Sequence, residues 1–363
     1  MKSKAAILNN YGEKLVIDEI DVADPQDGEV RVKMRASGVC HSDLHVIKGD
    51  LPIPTPCVLG HEGSGTIEAV GRGVTGLKEG DDVILSWVPP CGDCHYCVAG
   101  KKHLCEHAQM AMFTGGSRLS KGGVPLFSIQ GVASFSERTT LPASGCIPIH
   151  NGTSHDVACL VGCGVMTGVG AAINTVQIEA GQTVAVIGCG GVGLNVIQGA
   201  AIRGAGQVIA VDRVPAKLEL AKQFGATHVV NSASESMVGA IQGLTGGLGV
   251  DWAFEVIGIP EVITEAFMAV KRGGKVVVVG VPPMTAMVTI PGALLALAEK
   301  SLIGSLYGSG DVRRDMPRML DLYASGKLKL KELVSRRIPL EKINEAFDAM
   351  SGGEIARSVI IYP

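Results

Sequence analysis

Cys91, Cys94, Cys97 and Cys105 form a C-x2-C-x2-C-x7-C array in a glycine-containing stretch. Four thiolates with no other donor make a closed tetrahedral set, suited to a structural Zn2+ that ties down a loop too polar to build its own core. The first three spacings also fit an iron–sulfur run, but the last gap is seven residues rather than about three and no proline follows Cys105. Disulfides are the other alternative for these cysteines. His95, His103 and His107 flank the array and read as solvated surface residues. A second set of chemically capable residues is dispersed over three short stretches: Gly38-Val39-Cys40-His41-Ser42-Asp43-Leu44-His45, Gly60-His61-Glu62 and Val161-Gly162-Cys163-Gly164. Each stretch alone fits ordinary packing, since buried cysteines and satisfied core histidines are common. Together they can offer two thiolates and an imidazole, the Cys2His arrangement that leaves a zinc ion with an open fourth position.

A third pattern is Gly188-Cys189-Gly190-Gly191-Val192-Gly193, a G-x-G-x-x-G directly after the apolar run Thr183–Ile187. Gly188 permits a tight turn, Gly190 lets backbone approach a pyrophosphate, and Gly193 lets helix and strand pack closely. The free N–H groups at the helix start then face the phosphates. Asp212, 19 positions after Gly193, closes a second strand where an acid accepts from ribose hydroxyls, which favours NAD over NADP. The neighbouring Arg213 is a group that can accommodate a 2′-phosphate and leaves that preference open.

The elements that must hold these groups differ between the two parts of the chain. Up to about residue 164 the sequence reads as short β segments, among them Glu29–Arg35, Gly65–Val70 and Asp82–Ser86, with a loop-rich stretch from Pro89 to Gly131. From Val165 near-continuous apolar runs, Thr183–Ile187, Val208–Val211, His228–Val230, Trp252–Val256 and Lys275–Val279, alternate with the helical segments Gly191–Arg203 and Ala216–Phe224. Buried parallel strands with helical crossovers give this texture, so an α/β, doubly wound Rossmann sheet is expected there. The end of the chain holds a helix over Met316–Ala324, a segment Ile338–Met350 and a terminal strand Arg357–Tyr362, which return to the first domain. The expected domains are 1–164, with a zinc lobe at about 89–110, then 165–306 for the cofactor, then the return 307–363.

Composition narrows the function classes. The 363 residues include 49 glycines and 10 cysteines; 46% are hydrophobic and 18% charged, with a net charge of -3. Disorder is excluded by the apolar content, and a collagen repeat by the absence of a Gly-X-Y period. Lys plus Arg of 32 against Asp plus Glu of 35 leaves no basic excess for nucleic acid. No run of about 20 apolar residues is present for a membrane span, and the N-terminus lacks signal-peptide features, so a cytoplasmic enzyme of small molecules is expected.

With these motifs in place, the sequence resembles the medium-chain, zinc-dependent alcohol dehydrogenases along essentially its whole length: GVCHSDLH, GHEGSG, the four-cysteine lobe, GCGVMTG, the glycine fingerprint and the closing ARSVII. The resemblance implies a mainly β, GroES-like catalytic domain beside the Rossmann domain. It also implies two zinc ions per chain, with the catalytic ion on Cys40, His61 and Cys163 and the structural one on Cys91, Cys94, Cys97 and Cys105. Six of the ten cysteines then have metal duties; Cys57, Cys146, Cys159 and Cys189 read as packing residues, with Cys189 the one exposed to oxidation risk.

The implied reaction is hydride transfer between a primary alcohol, or its aldehyde, and NAD through a zinc alkoxide. Ser42 and His45 relay the proton, Asp43 orients a ligating histidine, and Glu62 assists ligand exchange. His41, Thr167 and Arg357 match cofactor-contacting positions, and Lys217 and Val279 join Gly188–Gly193, Asp212 and Arg213 on the cofactor side. Trp87, Val281 and Leu306 match the substrate cleft, and Trp87 narrows it toward primary alcohols.

A thiol–formaldehyde adduct is the alternative substrate. The glutathione branch carries an arginine where this chain has Gln109, and acids where it has Leu51-Pro52-Ile53-Pro54; a mycothiol-type adduct stays open. A non-catalytic NAD-binding redox sensor is the non-enzyme alternative. The family associates as dimers or tetramers through the cofactor domain, and the apolar segment Val288–Leu306 suits that role.

Overall fold

The computed structural model describes residues 1–114, 117–351 and 357–363, so Ala356 of the closing motif lies outside the described residues. The chain divides into two compact units, Met1–Gly164 with Asp311–Pro363, and Val165–Gly310.

The second unit is built on a six-stranded, all-parallel sheet. Its spatial order is His228–Asn231, Gln207–Asp212, Thr183–Ile187, Val250–Glu255, Val270–Val278 and Ser301–Gly304, that is third, second, first, fourth, fifth and sixth in chain order. This is the doubly wound arrangement the apolar runs imply. Helices Gly191–Ile202, Pro215–Gln223, Met237–Leu244 and Pro260–Ala269 make the crossovers. One core cluster packs Ala185, Ile187, Ile209 and Val211 of the central strands with Ile241, Ala266 and Phe267 of the helices, all at most 2% exposed. Burial on both faces is what makes these strands read as unbroken apolar runs. The order reverses around Thr183–Ile187, and the glycine turn follows that strand's carboxyl end, where open α/β sheets bind their ligands.

The first unit carries two mainly antiparallel sheets. One runs Cys146–Pro148, Asp82–Leu85, Glu62–Val70, Glu29–Gly38, Arg357–Ile361, Val334–Ile338, with Arg138–Pro142 also on Glu29–Gly38. The other joins Lys2–Leu8 and Val16–Val22 with four short strands. Val359, Ile360 and Ile361 pair with Gly38, Ser37 and Ala36, so the last strand is knitted into the sheet that carries the first motif.

Several expectations shift. The stretch expected to be loop-rich from Pro89 to Gly131 also holds helices His95–Val98 and Glu106–Thr114 and short strands, elements that its polar sequence does not reveal. Ile338–Met350 resolves into the end of strand Val334–Ile338 and helix Ile343–Ser351, and the helix expected from Met316 begins at Val312. Val288–Leu306 contains helix Gly292–Leu297 and the edge strand Ser301–Gly304, leaving Leu295 at 42% and Leu297 at 81% exposure. No single helix among the described residues is long and apolar enough to cross a membrane.

Candidate active site

Helix His41–Lys48 collects the first motif. Cys40 is its N-cap, and Asp43 at the third helical position accepts from the Cys40 backbone N–H at 3.3 Å. The carboxylate thereby satisfies an otherwise orphaned donor at the helix start. Asp43 is fully buried and also accepts from Gly60 N at 2.9 Å, while its Oδ1 lies 3.1 Å from His61 Nδ1. Gly60 adopts φ +88, and a Cβ there would meet Phe135 N at 2.7 Å, so only glycine turns the chain at this point. That turn delivers His61 just ahead of strand Glu62–Val70.

Cys163 follows the short helical turn Cys159–Gly162. One ligand atom each from Cys40, His61 and Cys163 lies within 4.8 Å of the others, and the three side chains are 5%, 2% and 7% exposed. His61 Nε2 is buried with no hydrogen-bond partner. A buried imidazole nitrogen left unpaired is costly. Beside two sulfurs, with its other nitrogen on a carboxylate, it has the surroundings of a metal ligand's nitrogen, and the set fits zinc.

Of the three, only Cys40 is electrostatically poised as the deprotonated ligand that zinc needs. A hydrogen bond from Cys163 holds the Cys40 thiol well below its ordinary range, assisted against burial by the Arg357 charge, and Cys163 as donor is pushed correspondingly up. Burial works against a charged His61, but the Asp43 carboxylate and Cys40 overcome it and raise its pKa. Glu62 is fully buried, and burial pushes its carboxyl up to about 7 despite Arg357. Glu62 Oε1 accepts from Arg357 Nη2 at 2.7 Å and from Gly164 N at 2.9 Å. A Cβ on Gly164 would sit 2.0 Å from Arg357 Nη2, so the glycine makes room for the guanidinium. Arg357, matched by resemblance to a pyrophosphate contact, meets Glu62 and, through Nη1, the Val39 carbonyl at 3.3 Å.

Ser42 and His45 are three apart on one helix and share a face. Ser42 Oγ lies 3.9 Å from Cys40 Sγ, and His45 Nδ1 lies 3.1 Å from Asp50 Oδ2. Asp50 was not singled out by sequence; an acid after Gly49 reads as a turn residue, and only its return toward the helix reveals the pair. Trp87, 7% exposed, lies in this same unit, as does exposed His41.

The four-cysteine lobe is assembled as its spacing suggests. The four sulfurs lie within 4.8 Å of one another, and backbone amides of Cys91 and Cys94 donate to Cys105 Sγ and Cys91 Sγ at 3.4 Å each. Amides aimed at sulfur stabilise thiolates, so the lobe fits a structural zinc ion. None of the ten cysteines is joined in a disulfide.

In the second unit Gly188 has φ +99 and donates to Val211 O at 2.8 Å. A Cβ on Gly193 would fall 1.8 Å from Gly188 O, whereas one on Gly190 would meet nothing within 4 Å. The third glycine is therefore required by packing, and the second leaves open the space a pyrophosphate occupies; the turn fits a dinucleotide. Gly191 and Val192 start helix Gly191–Ile202. Asp212 accepts from Cys189 N at 2.8 Å and Val214 N at 2.9 Å, so the ribose-acid candidate also braces the turn. Arg213 is exposed and Lys217 half-buried. Val279 is buried, Thr167 and Leu306 are half-buried, and Val281 is 63% exposed. Cys189 corrects an expectation: it is 1% exposed, burial pushes its thiol up, and Sγ faces the Val211 carbonyl, so it is shielded from oxidants.

Comparison with known proteins agrees with this geometry. Residues 26–151 match the alcohol dehydrogenase GroES-like domain and residues 191–325 the zinc-binding dehydrogenase domain. The chain is 40% identical to an NDMA-dependent alcohol dehydrogenase of Amycolatopsis methanolica, over 100% of this chain and 99% of that protein. It is 41% identical to an S-(hydroxymethyl)glutathione dehydrogenase of Synechocystis, over 100% of both. Among solved structures, benzyl alcohol dehydrogenase from Acinetobacter calcoaceticus superimposes with a TM-score of 0.95 at 34% identity, covering 100% of both chains. Sequence, fold and donor sets thus converge, and the chain belongs to the medium-chain, zinc-dependent alcohol dehydrogenases, a family of oxidoreductases.

Proposed function

We propose that the protein oxidises a primary alcohol to its aldehyde, or runs the reverse, with NAD as hydride acceptor. The observation carrying this is the buried Cys40–His61–Cys163 set with its unpaired His61 Nε2, next to a helix that presents Ser42 and His45 on one face. Those three residues would hold the catalytic zinc, and Cys91, Cys94, Cys97 and Cys105 the structural one. When bound, the catalytic ion supplies Lewis acidity that lowers the pKa of the alcohol.

The chain's own residues do the rest. Ser42 Oγ takes the substrate hydroxyl proton and passes it on toward His45, whose ring hands it to water; an imidazole's ordinary pKa of about 6.5 suits that outer step. Asp50 holds His45 Nδ1 and leaves Nε2 for the transfer. Asp43 fixes the tautomer and orientation of His61. Glu62 and Arg357 neutralise each other beside the thiolates and can assist ligand exchange. The amides at Gly188–Gly193 bind the pyrophosphate; Asp212, with Arg213 and Lys217 nearby, binds the adenosine ribose; Thr167 and Val279 flank the nicotinamide. His41 and Arg357 are proposed as pyrophosphate contacts from the resemblance to the family alone. Trp87, Val281 and Leu306 are the substrate-side residues that the resemblance to the family implies, and the bulk of Trp87 favours primary over branched secondary alcohols. By resemblance to the family, we place the protein in the cytoplasm as a homodimer or homotetramer acting on a small molecule.

A second reading is supported by the S-(hydroxymethyl)glutathione dehydrogenase relative: a thiol–formaldehyde adduct, with Gln109 offering an amide in place of a cation. One screen tests both. Reduction of NAD, and separately of NDMA, is followed with primary alcohols, branched secondary alcohols, and formaldehyde with and without low-molecular-weight thiols. Primary alcohols with NAD are expected to lead, with two zinc ions per chain and activity abolished in Cys163→Ala. Comparable turnover of branched secondary alcohols sinks the primary-alcohol preference, and full activity of Cys163→Ala sinks the site assignment.

A further inference from the structure

The four-cysteine lobe is uneven in exposure. Cys105, Cys97 and Cys94 are 0%, 5% and 9% exposed, while Cys91 is exposed. On that open side stand Asp93 and His107, both exposed, and one ligand atom from each lies within 4.8 Å of the other and of Cys91 Sγ. Cys91 therefore belongs to two donor sets at once, a largely buried set of four sulfurs and an exposed set of one sulfur, one oxygen and one nitrogen. Asp93 comes from the turn between Cys91 and Cys94, and His107 from the first turn of helix Glu106–Thr114, two residues after Cys105. The same two pieces of chain thus carry both sets.

We infer that Asp93 and His107 form a transfer site through which Zn2+ enters and leaves the four-cysteine lobe, with Cys91 as the ligand common to both sets. Leaving four thiolates in one step forfeits the whole binding free energy at once. Exchange of one ligand at a time avoids this. In each step one bond from zinc to the sulfur of Cys94, Cys97 or Cys105 breaks as one bond to an Asp93 oxygen, the His107 nitrogen or water forms. The released thiolate keeps its electron pair and takes a proton from water, and nothing is oxidised or reduced. Carboxylate and imidazole are ordinary zinc ligands, and three donors leave the fourth position open to a carrier or chelator.

The inference rests on the lobe holding zinc, so zinc content is measured first. Transfer of zinc from the holoenzyme to excess 4-(2-pyridylazo)resorcinol is then followed by absorbance in the unmodified protein, Asp93→Asn, His107→Gln and the double variant. The lobe's phase is the one that persists in Cys163→Ala. The expected result is an unchanged zinc content, an unchanged melting temperature and a lobe phase about ten-fold slower in the double variant, equivalent to roughly 1.4 kcal/mol of added barrier. Residues that merely brace the loop give the opposite sign, since their removal loosens the lobe and speeds release. Unchanged or faster release overturns the transfer role, and a lobe without zinc in the unmodified protein overturns the structural-zinc assignment itself.

Discussion

His45 and Asp50 illustrate how much a single contact can specify. A neutral imidazole donates through one nitrogen and accepts through the other, and the partner of Nδ1 decides which end is free. Asp50 Oδ2 at 3.1 Å from Nδ1 leaves Nε2 as the acceptor that a relay requires. Both side chains are about two-fifths exposed, so the pair contributes at most about 1 kcal/mol, and Asp50→Asn is expected to lower kcat roughly two- to five-fold. A structural role would lower kcat by the same factor in any background. The relay role predicts that Asp50→Asn has no further effect in a His45→Gln background, so additive losses in the double-mutant cycle would refute it. Cys40, His61 and Cys163 are legible because each sits in a short motif, yet just over a hundred residues separate the last two, and spacing alone does not join them. Asp50, and the pairing of Glu62 with Arg357, depend on chain reversals that no local pattern records.

Among the elements, legibility follows burial. The central parallel strands are covered on both faces and read as apolar runs; Thr183–Ile187 needs no adjustment at either end. Strand Val270–Val278 begins five residues before its apolar run because Lys271 and Arg272 open it toward solvent. Lys2–Leu8 and Val16–Val22 mix charged and apolar residues and carry no comparable signal. The glycine turn divides its duties by position, and two variants separate them. Gly193→Ala places a Cβ against the Gly188 carbonyl and is expected to cost roughly 1–3 kcal/mol of stability, read as a lowered melting temperature. Gly190→Ala has room in the protein alone, so its melting temperature should hold while its affinity for NAD falls about ten-fold. If Gly190→Ala binds NAD as tightly as the unmodified protein, the pyrophosphate does not approach that backbone.

At the scale of the whole molecule, chemistry and packing are divided between the units. All seven proposed zinc ligands lie in the unit formed by Met1–Gly164 and Asp311–Pro363, whereas the unit Val165–Gly310 is held by its own apolar core. Zinc binding free energy is folding free energy for the cooperative unit that supplies the ligands. Removal of zinc by dialysis against dipicolinate should therefore act locally. Hydrogen–deuterium exchange read by mass spectrometry is expected to show lost protection across Cys91–Cys105 and at the Cys40 and His61 segments. Amides of Thr183–Ile187 and Gln207–Asp212 should retain their protection, because their ladder and the residues packed on it contain no metal ligand. Equal loss of protection in both units would mean that the parallel sheet depends on the metal sites for its stability. Unaltered protection across Cys91–Cys105 would mean that its turns hold without an ion, and four converging sulfurs would then need another explanation.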